Sequence, residues 1–243
     1  MSTSAMIFAA GLGTRLYPLT ANKPKALVDY QGKPLLEHAI TKILDAGIKH
    51  IVINVHHFGE QIIDYINQHH FNATIEISDE REKLLDTAGG LKFAEPLFKN
   101  TDQILLYNVD VISSINLTKL LTSHLSPLIP HSSPLIPHFA TLCIRHRKSS
   151  RYFIFDESEL RLCGWENTQT EEKVICYEVE HPISLAFSGI HLVHKKIFDF
   201  IPKNEKLSFT PLYLQLAKHY HIQGYLHDED TWRDMGKWED FIN

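Results

Sequence analysis

Two glycines and two cations lie directly behind the first apolar run of the chain, residues 6–9. Gly11 and Gly13 allow a sharp turn and let backbone N–H groups come close to a ligand. Arg15 and Lys25 add positive charge beside that turn, and the stiff proline in front of Lys25 holds this lysine in place. Backbone donors and cations together suit phosphate oxygens, so we expect a polyphosphate to bind here.

Two well-known phosphate loops do not fit this segment. A P-loop ends in Gly-Lys-Ser/Thr, whereas Gly13 is followed by Thr14 and Arg15. A dinucleotide fingerprint needs a third glycine where this chain has Leu16. The plain alternative is a strand-to-loop turn with a solvated arginine and lysine. The apolar run that follows Lys25 favours a placed cation instead.

Two carboxylates stand in settings that could serve the same ligand. Asp110 follows an apolar run at residues 104–107, and Asp234 lies between Trp232 and Gly236 near the end of the chain. From position alone, Asp110 is also explained as a helix N-cap or turn residue, and Asp234 as a helix cap.

The elements that must position these residues follow an α/β pattern up to about residue 125. Short apolar runs alternate with helical periodicity, which predicts a mostly parallel sheet covered by helices. The predicted strands span residues 6–9, 51–55, 74–77 and 104–107, and the predicted helices span residues 36–44, 59–68 and 90–97. Ligand sites of such sheets lie at the carboxyl ends of the strands, where the glycine turn and Asp110 are both expected.

The second half of the chain is predicted to add a small antiparallel lobe. Strands are expected over residues 139–144, 152–155 and 174–177, with residues 162–165 lying between the last two. Within the apolar run at residues 185–193, the glycine of Phe187-Ser188-Gly189 indicates either a close approach of ligand to backbone or a β-bulge.

A tandem copy of seven residues separates the two halves. Ser126-Pro127-Leu128-Ile129-Pro130-His131-Ser132 is followed by a near-identical segment at residues 133–139, with four prolines in all. Proline excludes regular helix and central strand, so a surface loop is predicted at residues 126–138. We expect one domain over residues 1–243, in which this loop separates a first part at about 1–125 from a second part at 139–243.

Composition limits the class of partner. The net charge is −5 and no long basic run is present, so neither nucleic acid nor a membrane surface is expected. Three widely spaced cysteines argue against a disulfide framework and fit a reducing cytoplasm. The first apolar stretch is too short for a signal peptide or a membrane span. The histidine pairs 56–57 and 69–70 lack a third ligand, so histidine metal sites are not expected.

Taken together, these motifs resemble the sugar-1-phosphate nucleotidylyltransferases over nearly the whole chain. The resemblance rests on the opening Gly-x-Gly-Thr-Arg-Leu-x-Pro-Leu-Thr, the Pro24-Lys25 pair, Asp110 after an apolar strand, and the final Trp-x-Asp-x-Gly. Asn108-Val109-Asp110, residues 150–156, Gly164-Trp165 and residues 187–189 look most like the short bacterial N-acetylmuramate-1-phosphate uridylyltransferases and the heptose- or mannose-1-phosphate guanylyltransferases. This implies a Rossmann-like mixed, mostly parallel sheet of the nucleotide-diphospho-sugar transferase type. It also implies a nucleotide-binding part at about 1–125 and a small antiparallel sugar-binding lobe with a closing segment at 139–243.

The resemblance also implies a reaction that builds nucleotide sugars such as cell-envelope precursors. A sugar-1-phosphate oxygen attacks the α-phosphorus of a nucleoside triphosphate in line, and pyrophosphate leaves. Arg15 would hold pyrophosphate, Lys25 would neutralise the α-phosphate, and Asp110 and Asp234 would hold Mg²⁺. The residues implied for nucleotide binding are Ala10, Gly11, Leu12, Gly13, Thr14, Gly89 and Gly90. The residues implied for the sugar phosphate are Asn108, Gly164, Ser188 and Gly189.

The chain departs from the family pattern at three places, and alternatives stay open. Asp29 replaces a common proline, Ala88 interrupts a common glycine run, and the Glu-Lys-Pro element of larger relatives is absent. A cytidylyltransferase acting on phosphocholine or another non-sugar phosphate has the same opening motif, and a catalytically silent nucleotide-sugar sensor is a third reading. UTP is the first expectation for the nucleotide and GTP the second. A monomer or dimer is expected.

Overall fold

The computed structural model of this protein describes residues 1–124 and 138–241. The predicted loop at residues 126–138 lies outside them, except for His138. The strands are β1 (Thr3–Phe8), β2 (Asp29–Tyr30), β3 (Lys33–Pro34), β4 (His50–Val55), β5 (Thr74–Asp79), β6 (Gln103–Asn108), β7 (Val111–Ser113), β8 (Ala140–Arg145), β9 (Arg151–Asp156), β10 (Leu162–Asn167), β11 (Glu172–Ile175), β12 (Pro182–His194), β13 (Ile222–Leu226) and β14 (Trp232–Asp234). The α-helices are α1 (Leu35–Asp45), α2 (Gly59–Gln68), α3 (Asp86–Phe93), α4 (Leu117–His124) and α5 (Phe209–Ala217).

One mixed sheet joins ten of the strands in the described residues. Its order is β11-β10-β9-β12-β6-β1-β4-β5. In addition, β8 pairs with β12, and β13 pairs with β8. Strands β6, β1, β4 and β5 are parallel, whereas β12 runs antiparallel to β6, β8 and β9. The predicted Rossmann-like, mostly parallel sheet flanked by helices is therefore confirmed. The antiparallel strands β9, β10 and β11 join it through the first residues of β12.

Alternate residues of the central strands pack on opposite faces of the sheet. Met6 belongs to a core with α3 and α5, and Ile7 belongs to a core with α1, α2 and α4. Helices on both faces bury the central strands completely, which explains why β4 reads as a continuous apolar run apart from Asn54. Within the described ranges, no helix has the length and apolarity needed to cross a membrane.

Two predicted helices have the expected bounds and one begins elsewhere. Helix α1 ends two residues before Gly47, which has a φ of 81°, and α2 spans the predicted residues 59–68. The prediction of a helix over residues 90–97 is wrong at both ends, because α3 spans Asp86–Phe93 and a separate 3-10 turn spans Glu95–Leu97. The N–H groups of Ala88 and Gly89 in the first turn of α3 donate to the Leu207 carbonyl at 2.9 and 3.0 Å. A distant segment thus satisfies donors that a helix start leaves unpaired.

Candidate functional site

The predicted glycine turn begins where β1 ends. The N–H groups of Ala9 and Ala10 donate to Asn54 Oδ1 at 2.8 and 3.3 Å, so the neighbouring strand β4 holds the start of the turn. Gly11 faces open space, and a side chain at that position would meet no atom within 4 Å. The backbone around Gly11 is therefore accessible to a ligand.

Gly13 closes the turn in a conformation that favours glycine. Its φ is 66°, and a Cβ atom there would lie 3.0 Å from Thr20 Cγ2 and 3.2 Å from Lys25 Cβ. The Thr20 hydroxyl donates to the Gly13 carbonyl at 2.9 Å. The stem of Lys25 therefore packs against the turn, although Lys25 follows Arg15 by ten positions in the sequence. Glycine is required here by both conformation and space.

A buried carboxyl lies beside this turn, and the sequence patterns did not indicate it. Glu80 follows β5 directly, is 2% exposed, and accepts a hydrogen bond from Asn54 Nδ2 at 2.9 Å. Its Oε2 atom has no hydrogen-bond partner among the described residues. Burial raises the pKa of Glu80 to about 7. Asn54 thus links the backbone of the turn to a carboxyl that titrates near neutrality.

A cavity of about 290 Å³ opens at this edge of the sheet. It brings together five residues that the sequence predicted, namely Ala10, Gly11, Lys25, Asn108 and Asp110. The other lining residues are Phe8, Ala9, Asn54, Glu80, Leu84, Asp86, Thr87, Val109 and Lys206. Residues 8–11, 54, 80 and 108–110 lie at or just after the carboxyl ends of β1, β4, β5 and β6, as expected for ligand sites of parallel sheets. The lining is completed by Lys25, Lys206 and residues from the start of α3 and just before it. Leu12, Thr14 and Arg15 follow Gly11 closely in the sequence, but they are not among the residues that line the cavity.

Lys25 and Asp110 form an ion pair in this cavity. Their side chains are only 11% and 18% exposed. Lys25 is held by a short 3-10 turn after Pro24, and Asp110 lies in the tight connection between β6 and β7. The alternative of a helix N-cap for Asp110 is therefore wrong, because a strand follows it, while its place in a turn agrees with the second alternative.

Asp234 lies next to Asp110 because β14 pairs with β7. Asp234 is opposite Val111 in this antiparallel pair, and the N–H of Met235 donates to the Asp110 carbonyl at 2.8 Å. The alternative of a helix cap for Asp234 is wrong, since the residue belongs to a strand. A side chain at Gly236 would lie 2.6 Å from Asp234 Oδ1 and 3.2 Å from Arg15 Nη2. Arg15 therefore approaches the same carboxylate.

The two carboxylates are the residues at this edge that could hold a metal ion. No group of three or more His, Cys, Asp and Glu side chains is arranged as a metal site in residues 1–124 and 138–241. Two adjacent carboxylates are nevertheless a suitable donor set for Mg²⁺, which keeps several positions for water and phosphate oxygens.

Ser188 and Gly189 form a β-bulge in β12. The register of β12 against β8 shifts between Phe187 and His191, so the bulge alternative is confirmed. Gly189 has a φ of 76°, and a Cβ atom there would lie 2.9 Å from Asn108 Nδ2. The Ser188 hydroxyl is buried and bonded to His227 Nε2 at 2.7 Å. The bulge therefore brings backbone, and not the Ser188 side chain, towards Asn108.

Three predicted glycines lie in close packing outside the cavity lining. A Cβ atom at Gly89 would be 2.3 Å from the Glu205 carbonyl oxygen, and one at Gly164 would be 2.6 Å from the Val174 carbonyl oxygen. At Gly90 a Cβ atom would approach Glu80 Oε1 to 2.7 Å. Space explains each of these glycines, and Gly90 acts on the cavity by leaving room for Glu80.

A family model described as nucleotidyl transferase matches residues 4–152 of this chain. An N-acetylmuramate α-1-phosphate uridylyltransferase of Caulobacter vibrioides is 39% identical over 111 residues, 44% of this chain and 46% of that protein. A protein of the same name from Neisseria meningitidis serogroup B is 29% identical over 239 residues, 96% of this chain and 92% of that protein. A mannose-1-phosphate guanylyltransferase of Mycobacterium tuberculosis is 26% identical over 258 residues, 98% of this chain and 62% of that protein.

The match spans less than half of the Caulobacter relative and less than two thirds of the Mycobacterium relative. Among solved structures, UDP-glucose pyrophosphorylase complexed with UDP-glucose superposes with a TM-score of 0.78 at 18% identity. The superposition covers 100% of this chain and 96% of that chain, so the whole described fold is shared.

Proposed function

This chain belongs to the nucleotidyl transferase family, and we propose that it joins a nucleoside triphosphate to a sugar-1-phosphate. An oxygen of the sugar phosphate forms a bond to the α-phosphorus, the bond from the α-phosphorus to the bridging oxygen of the β-phosphate breaks, and pyrophosphate leaves. The products are a nucleoside-diphosphate sugar and pyrophosphate. The resemblance found in the sequence and the names of the relatives support this reaction.

One observation carries the proposal: the pairing of β14 with β7 brings Asp234 beside Asp110, at the cavity that contains the glycine turn and Lys25. We call the glycine turn, Lys25, Asn54, Glu80 and Asp110 the donor side. We call the bulge at Ser188 and Gly189, with Trp232 and Asp234 on β14, the acceptor side. A triphosphate on the donor side would present its α-phosphorus between the two carboxylates.

The chain's own cations neutralise charge on the triphosphate. Open backbone from Ala10 to Thr14 would donate to phosphate oxygens, and Lys25 would exchange its partner Asp110 for the α-phosphate. Arg15, exposed beside Gly236, would hold the departing pyrophosphate. The sugar phosphate is already an anionic nucleophile at neutral pH, so no general base is needed and positioning supplies most of the rate.

Asp110 and Asp234 fit Mg²⁺ by chemistry and by place. Both offer hard carboxylate oxygens, and both lie where a triphosphate and an incoming phosphate would meet. When bound, Mg²⁺ would neutralise charge that develops on the phosphate oxygens. Asp110 and Asp234 would hold the ion, and Lys25 would contact the α-phosphate.

Glu80 supports a uracil or guanine base. The cavity extends from Gly11 to Glu80, Leu84 and Thr87, and the Glu80 carboxylate accepts hydrogen bonds only. Uracil and guanine present a ring N–H to such an acceptor, whereas cytosine and adenine present a ring nitrogen lone pair. Above a pH of about 7, where the carboxylate form of Glu80 prevails, this favours UTP and GTP over CTP and the cytidylyltransferase alternative. UTP is proposed first because two of the relatives are named uridylyltransferases, and GTP is proposed second because another is named a guanylyltransferase.

The acceptor is proposed to be a sugar-1-phosphate held near Asn108 and Gly189. These two residues approach each other at the edge of the cavity. Ser188 and Gly164 would then act through the bulge and the strand packing that they allow. Three free thiols agree with action in the cytoplasm. A monomer or dimer remains our proposal for its assembly.

The test is pyrophosphate release in the presence of Mg²⁺. Each nucleoside triphosphate is paired with N-acetylmuramate-1-phosphate, mannose-1-phosphate, heptose-1-phosphate and phosphocholine, with an Asp110→Asn protein as the matched control. The proposal expects UTP or GTP to react with one of the sugar phosphates and the control to be inactive. Turnover of CTP with phosphocholine would replace the sugar acceptor, and tight nucleotide binding without any turnover would indicate a sensor.

A further inference from the structure

Arg147 is a cation on the acceptor side that the mechanism above does not use. It lies two residues beyond the end of β8, and its Cζ atom is 4.6 Å from the centre of the Trp232 ring. Trp232 and Asp234 are two positions apart on β14, so their side chains project from the same face of that strand. Arg147 therefore stands on an aromatic platform next to one of the two proposed Mg²⁺ ligands.

The side chain of Arg147 is partly withdrawn from solvent beside Trp232. A guanidinium in such a position is better stabilised when an anion contacts it.

The guanidinium keeps donors for such an anion. Its Nη2 atom donates to the Phe187 carbonyl at 2.8 Å, which fixes it to the bulge of β12. Its Nη1 atom lies 3.5 Å from the Lys148 carbonyl oxygen, and its Nε atom is buried without a hydrogen-bond partner among the described residues. Because a guanidinium has five N–H groups in a planar fork, one short bond leaves it able to bind phosphate.

We propose that Arg147 binds the phosphate of the incoming sugar-1-phosphate. This inference rests on the proposed function. Lys25 and Arg15 are already proposed to bind the triphosphate, whereas Arg147 is attached to the bulge that approaches Asn108. Stacking on Trp232 and the bond to Phe187 fix the plane of the guanidinium, which favours two-point contact with a phosphate.

The chain offers a matched control for this residue. Arg161 also stacks on an aromatic ring, with its Cζ atom 4.8 Å from the centre of Tyr177, and its Nε atom is likewise buried without a partner in the described residues. Arg161 precedes β10 and forms a bridge with Gln223, away from Asp234. Replacing either arginine by lysine removes the same fork and keeps the charge.

The experiment compares R147K and R161K with the parent protein in two measurements. The first is the KM for the sugar-1-phosphate and for the nucleoside triphosphate in the Mg²⁺ assay. We expect R147K to raise the KM for the sugar phosphate about tenfold or more and to leave that for the triphosphate within twofold, because bonds to charged groups contribute most where both partners are desolvated. R161K should change neither constant.

The second measurement is calorimetric binding of N-acetylmuramate-1-phosphate or mannose-1-phosphate in the presence of Mg²⁺ and a non-hydrolysable triphosphate analogue. Loss of this binding in R147K supports the inference even if the parent protein shows no turnover, in which case only the proposed function fails. Equal binding by R147K and the parent overturns the inference. A joint rise in the KM values for both substrates also overturns the inference, because it indicates that Arg147 only holds the bulge. The inference is likewise overturned if the parent protein binds no sugar phosphate.

Discussion

The donor side of the site is made by neighbouring ends of parallel strands, whereas the acceptor side depends on an irregularity in β12 and on a short strand near the end of the chain. On the donor side, Asn54 links the turn after β1 to Glu80 after β5 by hydrogen bonds of 2.8 to 3.3 Å. On the acceptor side, Trp232 and Arg147 donate to successive carbonyls of the bulge at Ser188 and Phe187.

We expect the two sides to select the two proposed substrates in different ways. On the donor side the Glu80 carboxyl is buried and already held by Asn54. On the acceptor side the bulge is held by a hydrogen bond of 2.9 Å from Trp232 to the Ser188 carbonyl. Changes confined to the bulge would therefore alter the proposed acceptor contacts and leave the proposed nucleotide contacts unchanged.

The largest effect is expected where the two sides meet, at Asp110. Asp110→Asn keeps the shape of the side chain but removes a charge that pairs with Lys25 and is proposed to hold Mg²⁺. We expect kcat to fall about a thousandfold. Asp156→Asn, which alters an exposed turn capped by Asp156, is the control and should keep parental kcat. An active Asp110→Asn protein would show that the donor side works without this carboxylate.

The packing beneath the donor side is tested by Gly89→Ala. The added methyl would lie 2.3 Å from the Glu205 carbonyl oxygen, so backbone must move, and we expect a loss of about 2 kcal/mol in the free energy of unfolding. Urea denaturation measures it. Gly11→Ala is the comparison, since that position faces open space and should keep its stability. Equal stability of the two variants would mean that α3 is not packed tightly on residues 205–207.

A smaller effect is expected from Glu80→Gln, which tests the nucleotide preference of the donor side. Burial raises the pKa of Glu80 to about 7, so the carboxylate that accepts a base N–H prevails above that pH. Affinity for UTP or GTP should rise between pH 6 and 8, and the glutamine variant should bind about tenfold more weakly at pH 8. The pH dependence that remains in the glutamine variant reports the triphosphate alone and should be flatter than that of the parent protein. Identical pH profiles would remove Glu80 from base recognition.

The smallest effect concerns histidines on the opposite edge of the sheet, which should influence stability and neither substrate. Burial lowers the pKa of His124 to about 3 and that of His138 to about 4, and the rings lie 6.2 Å apart. Below about pH 6.5 the unfolded chain binds protons that the folded protein does not, so stability falls as the pH is lowered towards 4.

Glu80 acts in the opposite direction, because its raised pKa contributes stability at low pH that is lost as the pH rises through about 7. His124→Asn keeps an acceptor or donor for Thr141 but cannot titrate, so its unfolding free energy should fall less steeply, by about 1 kcal/mol per pH unit at most. Thermal melts at pH 4, 5 and 6.5 measure this difference, while KM values at pH 7.5 should be unchanged.

Sequence patterns predicted the donor side better than the acceptor side. Apolar runs and helical periodicity located β1, β4 and α2, and the rule for parallel strand ends placed Gly11 and Asp110 at one edge. Helix α3 began earlier than predicted because Leu207, more than a hundred residues away, satisfies its first N–H groups. No local pattern encodes such a partner.

Glu80 and Arg147 could not be identified from the sequence for a related reason. A glutamate after a strand and an arginine in a basic loop are both common. Glu80 is distinguished by its burial against Asn54 and Gly90, and Arg147 by its stacking on Trp232. Asp234 was located by the family resemblance, but its strand pairing with β7 required the folded chain, since β14 has three residues and no strand-like pattern. Long-range packing decides all three positions.

The most direct test of the proposed attack at the α-phosphorus follows the phosphorus atoms of the nucleotide. The protein is incubated with Mg²⁺, a sugar-1-phosphate and triphosphate labelled either at the α- or at the γ-phosphorus, and the products are separated. We expect the α-label to enter the nucleoside-diphosphate sugar and the γ-label to leave as pyrophosphate. Neither transfer should occur with the Asp110→Asn protein. Appearance of γ-label on the sugar, or its release as inorganic phosphate, would contradict attack at the α-phosphorus.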